Sequence, residues 1–363
     1  MATHRTRPEI HPAEPSAGRP RRTPRAGNGR ALLLAAAGLA LAAVMLVCTV
    51  LDGGTGGRPE PFPELPGVEE AEQAASEQTR PAAEREVCED GTDPADSLAP
   101  SPLGPDEGEA VRRIQERGAL IVGVDQNSYL WGFRDPENHI VGFDIDLVRA
   151  IAEDLLGPDP DIVFKAVPTS ERIPLLRERK IDMVVRTMSI TCRRWEKVAF
   201  STAYFEAGQQ LLVERDSGIT GLDESLDGQR VCRADGSTAA DLLERADAEG
   251  LGATVVRAPN HLDCLVLVQL GEADALMTDS ALAAGHAAQD PAMHLVGEPL
   301  TIEPYGVAMH LEDTDLVRRV NRVLEEWTSG GTDSGWRQSY NRWLAGHLGD
   351  DSPAPPAPRY GRG

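Results

Sequence analysis

From Ala110 onward the chain alternates short apolar runs with amphipathic segments, and it does so twice. Ala119–Val124, Asp161–Ala166 and the end of Lys180–Val185 read as strands, each bounded by turn residues. Segments with helical spacing lie between them. The clearest opens at Gly142, where Val148, Ile151, Ala152 and Leu155 recur at i, i+3, i+4 and i+7 before Gly157-Pro158 stops the turn. Asp144 is expected as its N-cap, with Asp146 suited to the positive end of the helix dipole. Strand, helix, strand, helix, strand in this order requires a parallel sheet with right-handed crossovers.

After Tyr204 the pattern restarts. Gln209–Glu214, Arg230–Arg233, Ala253–Val256 and Asp274–Thr278 read as strands, and Ala239–Ala248, Leu262–Leu270 and Ala281–Ala288 as helices. Tyr305–His310 is expected to return as one strand to the first unit, followed by helices near Asp313–Thr328 and Ser334–Ala345. The expected organisation is therefore lobe 1 over residues 109–207, lobe 2 over 208–302 and a return to lobe 1 over 303–348. Two crossings between lobes make a hinge, and a cleft between sheets whose strand ends face each other is where such folds take ligands.

The amino-terminal third is different in kind. Residues 1–30 hold seven Arg and two Glu, so of the net charge of −22 the remainder carries −27. That acidity argues against nucleic acid as a partner. Residues 31–51 form a run of 21 residues without a charge, long enough for a transmembrane helix, with the arginines placing the amino terminus in the cytoplasm. The expectation is an anchored protein with its binding domain outside the cytoplasm. A cleaved signal peptide, or a lipoprotein lipidated at Cys48, is the alternative. Residues 52–108, rich in Pro, Gly, Glu and Ser, read as a disordered acidic tether, and the Pro-rich residues 349–363 as a disordered tail. Cys88, Cys192, Cys232 and Cys264 lie beyond the apolar run, where an oxidising compartment would allow three pairings.

One stretch concentrates chemistry. The strand ending at Val185 runs into Arg186, Thr187, Ser189, Cys192, Arg193 and Arg194. Hydroxyls and guanidinium groups at a strand's carboxyl end suit a small carboxylate, although the same residues also suit a solvated loop. Ser189 and Arg194 fit an α-carboxylate, Arg194 through a two-pronged contact. Gly236-Ser237-Thr238 at a helix start offers backbone N–H groups from the second lobe. Asp279, at a strand end, fits an ammonium, and Asp125 occupies a comparable point in lobe 1. Arg172 and Arg186 are further cations near these stretches, and as unpaired charges they would favour an acidic ligand. The eight His residues show no metal-ligand spacing, and no nucleotide or hydrolase motif is present, so no metal, cofactor or catalytic residue is expected.

The stretches GFDIDL (142–147), MSITCRR (188–194), VAFSTAYFEAGQQLLV (198–213), VCRADGST (231–238) and ADALMTDSA (273–281) resemble the extracellular solute-binding proteins of family 3. The DCL (263–265), AAQDP (287–291) and EPYGVAM (303–309) stretches resemble its actinobacterial glutamate-binding branch. The resemblance implies an α/β, two-lobed type II periplasmic-binding-protein fold that closes on one amino acid. It implies that Arg194 and Ser189 bind the α-carboxylate with help from Ser237 and Thr238, and that Asp279 and the Thr187 carbonyl bind the ammonium. It also implies Cys232–Cys264 and Cys88–Cys192 disulfides. Cys192 and Arg193 stand where the family has acidic residues. Thr169 stands where it has an aromatic wall, so Tyr129 or Trp131 is expected to serve instead. The function so implied is delivery of glutamate or aspartate to an ABC transporter permease. Signalling to a membrane sensor is the alternative, and a dehydratase-like enzyme a more distant one.

Overall fold

The computed structural model describes residue 83 and residues 85–100, 108–348 and 354–362. The apolar run at 31–51 lies outside them. Among the described residues no helix is long and apolar enough to cross a membrane.

Two five-stranded sheets share one plan. In lobe 1 the order is Asp161–Ala166, Ala119–Val124, Met183–Val184, Ala308–His310, Val198–Phe200. In lobe 2 it is Thr254–Ala258, Arg230–Ala234, Ala275–Asp279, Gln209–Glu214, Met293–Val296. In each, the first three strands are parallel and the fourth runs antiparallel to both neighbours. The alternation of strand side chains then sets two cores in lobe 2. Leu212 faces Cys232, Leu265 and Leu276, while Leu211 and Val213 face Val231, Leu243 and Met277 on the other side.

The expected single strand at 305–310 is two strands. Glu303–Tyr305 pairs antiparallel with Phe205–Ala207, and only after Gly306 does Ala308–His310 enter the lobe 1 sheet. The paired short strands are the two crossings between lobes. Their aromatic residues Phe205 and Tyr305 pack on Trp131, with ring centroids 4.9 and 5.7 Å away, so the hinge is seated in the core of lobe 1.

The helix Phe143–Leu156 packs Phe143, Ile145, Leu147, Val148, Ile151 and Leu155 inward. Its N-cap is Gly142 rather than the expected Asp144. Gly142 has φ 131°, and a Cβ there would overlap the Trp131 carbonyl, so the chain enters the helix by a path open to glycine alone. Asp144 is displaced into the first turn and buried. It accepts hydrogen bonds from Tyr204 Oη at 2.8 Å and the Thr187 N–H at 3.0 Å.

Two segments read as disordered are ordered where described. Cys88 is bonded to Cys192, and Ser97–Leu98 pairs in parallel with Tyr360–Arg362 from the Pro-rich tail. Composition missed this because little of the order comes from apolar burial. Asn321 donates to Ser97 Oγ at 2.9 Å and to the Leu98 carbonyl, Trp195 Nε1 donates to the Pro94 carbonyl at 2.7 Å, and Arg359 pairs with Asp93 and Asp96. Cys232 and Cys264 form the second disulfide, inside the lobe 2 core.

Candidate functional site

Beyond Val184 the backbone leaves the lobe 1 sheet and tightens. Thr187 adopts φ 40°, a left-handed conformation that costs a non-glycine residue about 1–3 kcal/mol, and its N–H is held by buried Asp144. Burial pushes the Asp144 carboxyl up to about 7, and the Tyr204 and Thr187 hydrogen bonds only partly oppose it. The chain then passes Ser189, whose backbone bridges to Tyr305, and enters the one-turn helix Cys192–Trp195. Thr191 Oγ1 caps that turn by accepting the Arg194 N–H. Three consecutive side chains diverge from it. Cys192 ties down the amino-terminal segment, exposed Arg193 crosses to Asp241 of lobe 2 at 2.6 Å, and Arg194 turns inward.

The three candidate arginines are all buried, but they are not equivalent. Arg186, 1% exposed, pairs with Asp125 at 2.7 Å and donates to Thr169 Oγ1 at 2.8 Å and Asn260 Oδ1 at 3.2 Å. Asp125 also accepts from Ser128 Oγ and the N–H groups of Gln126 and Asn127. The expectation that Arg186 is an unpaired cation is therefore corrected, and both Asp125 carboxylate oxygens are engaged by protein donors. Asp125 supplies the counter-charge of this buried guanidinium.

Arg172 and Arg194 are 4% and 8% exposed, and among the described residues neither has a carboxylate within ion-pair distance. Arg172 donates to the carbonyls of Thr169 at 2.9 Å, Arg186 at 3.4 Å and Gly236 at 3.2 Å. Arg194 donates to the carbonyls of Ser189 at 2.6 Å and Gly236 at 3.0 Å. Burial lowers the pKa of both, and for Arg172 the guanidinium groups of Arg194 and Arg186 push it further down. Gly236, with φ 78°, can present its carbonyl to both because it lies almost against the Cα of Ser170, where a Cβ would come within 3.0 Å.

Acidic groups occupy the neighbouring wall. Asp279 accepts from Gln209 Nε2 and from Tyr305 Oη at 2.8 Å, and burial together with nearby Glu303 raises its pKa to about 8. Glu303, on a crossing strand, was not foreseen as a site residue. Its Oε2 accepts from Ser189 Oγ of lobe 1 and from Thr238 Oγ1 of lobe 2, the latter at 2.7 Å. Only its place in the EPYGVAM stretch, with no local pattern, could have pointed to it. Ser237 turns its hydroxyl back to the Ala234 carbonyl at 2.7 Å, so its side chain closes its own turn. A cavity of about 500 Å³ opens beside this network, lined by Ser189, Thr191, Arg193, Thr238, Asp241 and Glu303 among others.

The expected aromatic wall is not built as foreseen. The Tyr129 ring packs on Phe133 and His347, with centroids 4.9 and 6.3 Å away. Trp131 is fully buried in the lobe 1 core, donating Nε1 to the Ala281 carbonyl at 3.1 Å. Both are drawn into packing by their apolar surface. Among the described residues no group of three or more His, Cys, Asp or Glu side chains could hold a metal.

Two lobes on a two-strand hinge, with buried cations and anions facing each other at the junction, define a solute-binding protein. The chain belongs to the bacterial extracellular solute-binding proteins, family 3, whose pattern matches residues 120–346. It is 34% identical over 232 residues to the "ABC transporter glutamine-binding protein GlnH" of Bacillus subtilis, covering 64% of this chain and 83% of that one. To the "Glutamate-binding protein GluB" of Corynebacterium efficiens it is 29% identical over 256 residues, covering 68% and 84%. Among solved structures, a mutant of the ArgBP protein from T. maritima matches with a TM-score of 0.60 at 33% identity, covering 65% of this chain and all of that one.

Proposed function

We propose that this protein binds one acidic amino acid, glutamate or aspartate, between its lobes and delivers it to an ABC-type importer. The observation that carries this is the convergence of Arg172 and Arg194 on one backbone carbonyl, with no acidic partner for either among the described residues. Two desolvated like charges in contact with neutral acceptors leave room for two negative charges from a ligand. In this reading Arg194 takes the α-carboxylate with Ser189 and Thr238, and the Gly236-Ser237-Thr238 turn adds backbone N–H groups. Asp279 takes the ammonium, assisted by the Thr187 carbonyl. Arg172 takes the side-chain carboxylate, alone of the two cations expected to favour an acidic ligand, since Asp125 neutralises Arg186. The ligand replaces Gly236 as the acceptor of both guanidinium groups.

A glutamine-binding reading has one observation in its favour, the similarity to a relative named for glutamine. The same Arg172 would then donate to an amide oxygen. Residues 31–51 would hold the protein at the membrane with the lobes outside, as befits a family of extracellular solute-binding proteins. Calorimetry of the full chain against the twenty standard amino acids tests the proposal. Heat with glutamate or aspartate supports it, and binding of a cationic amino acid alone would sink it.

A further inference from the structure

Glu303 meets the same hydroxyls that the proposed function assigns to the ligand. Glu303 is 6% exposed and sits where the crossing strand Glu303–Tyr305 passes between lobes. One oxygen, Oε2, accepts from Ser189 Oγ on one wall and from Thr238 Oγ1 on the other, while Oε1 is steadied by Thr301 Oγ1 at 3.3 Å. Thr238 is joined in turn to Gln209 Nε2 at 3.1 Å, which also reaches Asp279. The chain of contacts thus runs from lobe 1 through Glu303 into the ammonium side of the cleft.

A buried carboxylate must be solvated by donors or by counter-charge, and here donors from opposite lobes do it. That arrangement holds only while the lobes are together, because opening the hinge separates Ser189 from Thr238. We infer that Glu303 is an intramolecular competitor for the α-carboxylate position, a side chain that holds the empty cleft closed and must be displaced by the ligand. The inference rests on the proposed assignment of Ser189 and Thr238 to the ligand carboxylate. Each hydroxyl has one proton to donate, so a ligand carboxylate that takes both displaces Glu303, and its affinity is set by the difference between its own contacts and those of Glu303. Arg194 favours the ligand, since it can bond a free carboxylate in two-pronged fashion, whereas its described bonds go to backbone carbonyls.

The test uses the full chain with Glu303→Ala, and Glu303→Gln as a second variant that keeps the side chain's shape. Small-angle scattering without ligand should show the native protein compact and Glu303→Ala expanded. Calorimetry with L-glutamate should show affinity raised tenfold or more in Glu303→Ala and by less in Glu303→Gln. Unchanged scattering, or affinity lowered in both variants while their melting temperatures hold, would overturn the inference and make Glu303 a ligand contact. If no amino acid binds to native or variant protein the proposed function fails, and the scattering comparison still decides whether Glu303 closes the empty cleft. Thr238→Val removes the lobe 2 half of the contact and must also expand the ligand-free form.

Discussion

Arg172 and Arg194 reach the same atom. The Gly236 carbonyl oxygen, on a lobe 2 turn, accepts a guanidinium N–H from each, at 3.2 and 3.0 Å, although both arginines belong to lobe 1. Like charges so close, and so deeply buried, persist because neutral acceptors surround them, and they make the junction strongly receptive to anions.

Removing either cation should therefore separate the two ends of the ligand. Arg194→Ala is expected to weaken binding of every amino acid the protein accepts by about 2–5 kcal/mol, the cost of stranding a desolvated carboxylate. Arg172→Gln should weaken glutamate strongly and glutamine far less. Titration calorimetry with both ligands on both variants checks the pattern; equal losses for the two ligands in Arg172→Gln would remove that residue from side-chain recognition.

Arg186 should behave as a structural residue. Arg186→Met leaves Asp125 buried without its counter-charge, and destabilisation of about 3–5 kcal/mol is expected. The double variant Asp125→Asn with Arg186→Met should recover much of it, because no unpaired charge remains. Urea denaturation of the three proteins measures the coupling.

His286 predicts an acid limb to stability. It is 1% exposed in helix Ser280–Gln289, with no hydrogen-bond partner at either ring nitrogen among the described residues. Burial lowers its pKa to about 4, against the opposing pull of Asp125. The unfolded chain therefore binds a proton between pH about 6.5 and about 4 that the folded one does not. The His286 contribution is complete above the unfolded value and is lost as pH falls through this window, on the order of 3 kcal/mol in all. His261, also lowered by burial, acts in the same direction. In His286→Leu the urea midpoint should fall less steeply between pH 7 and pH 4; an unchanged slope would show that the ring is not titrating as argued.

The Cys88–Cys192 bond closes a separation of 104 residues, and Cys232–Cys264 one of 32. On loop entropy alone these are worth about 4.7 and about 3.7 kcal/mol. Replacing Cys88 and Cys192 together by Ser should lower the melting temperature more than the corresponding change at Cys232 and Cys264. It should also expose the segment around Arg85 to limited proteolysis, since the described ties left there are an exposed ion pair of Arg85 with Glu206 and a hydrogen bond of Glu86 to the Cys192 backbone.

Long periodic elements were legible from residue order, whereas the site was legible only in outline. The helix at 143–156 follows from its apolar spacing, but its cap does not, because Gly142 is selected by a backbone approach to Trp131 that no local pattern encodes. The crossing strands are three residues long, too short for an alternation to stand out. Arg194 could be singled out by its neighbours. That Arg186 would be neutralised and Arg172 would not depends on where the Asp125 turn comes to lie, a tertiary fact. Glu303 is not legible for the same reason: its partners are 114 and 65 residues away.

The parallel pairing of Ser97–Leu98 with Tyr360–Arg362 has a mechanical consequence. Entry and exit of the folded region lie side by side, and Asn321 and Phe200 bind that pair to lobe 1. Lobe 2 is thus a pendant, joined through the backbone only at its two crossings. Any pull transmitted along the amino-terminal segment is borne by lobe 1, and the swing of lobe 2 need not drag that segment with it.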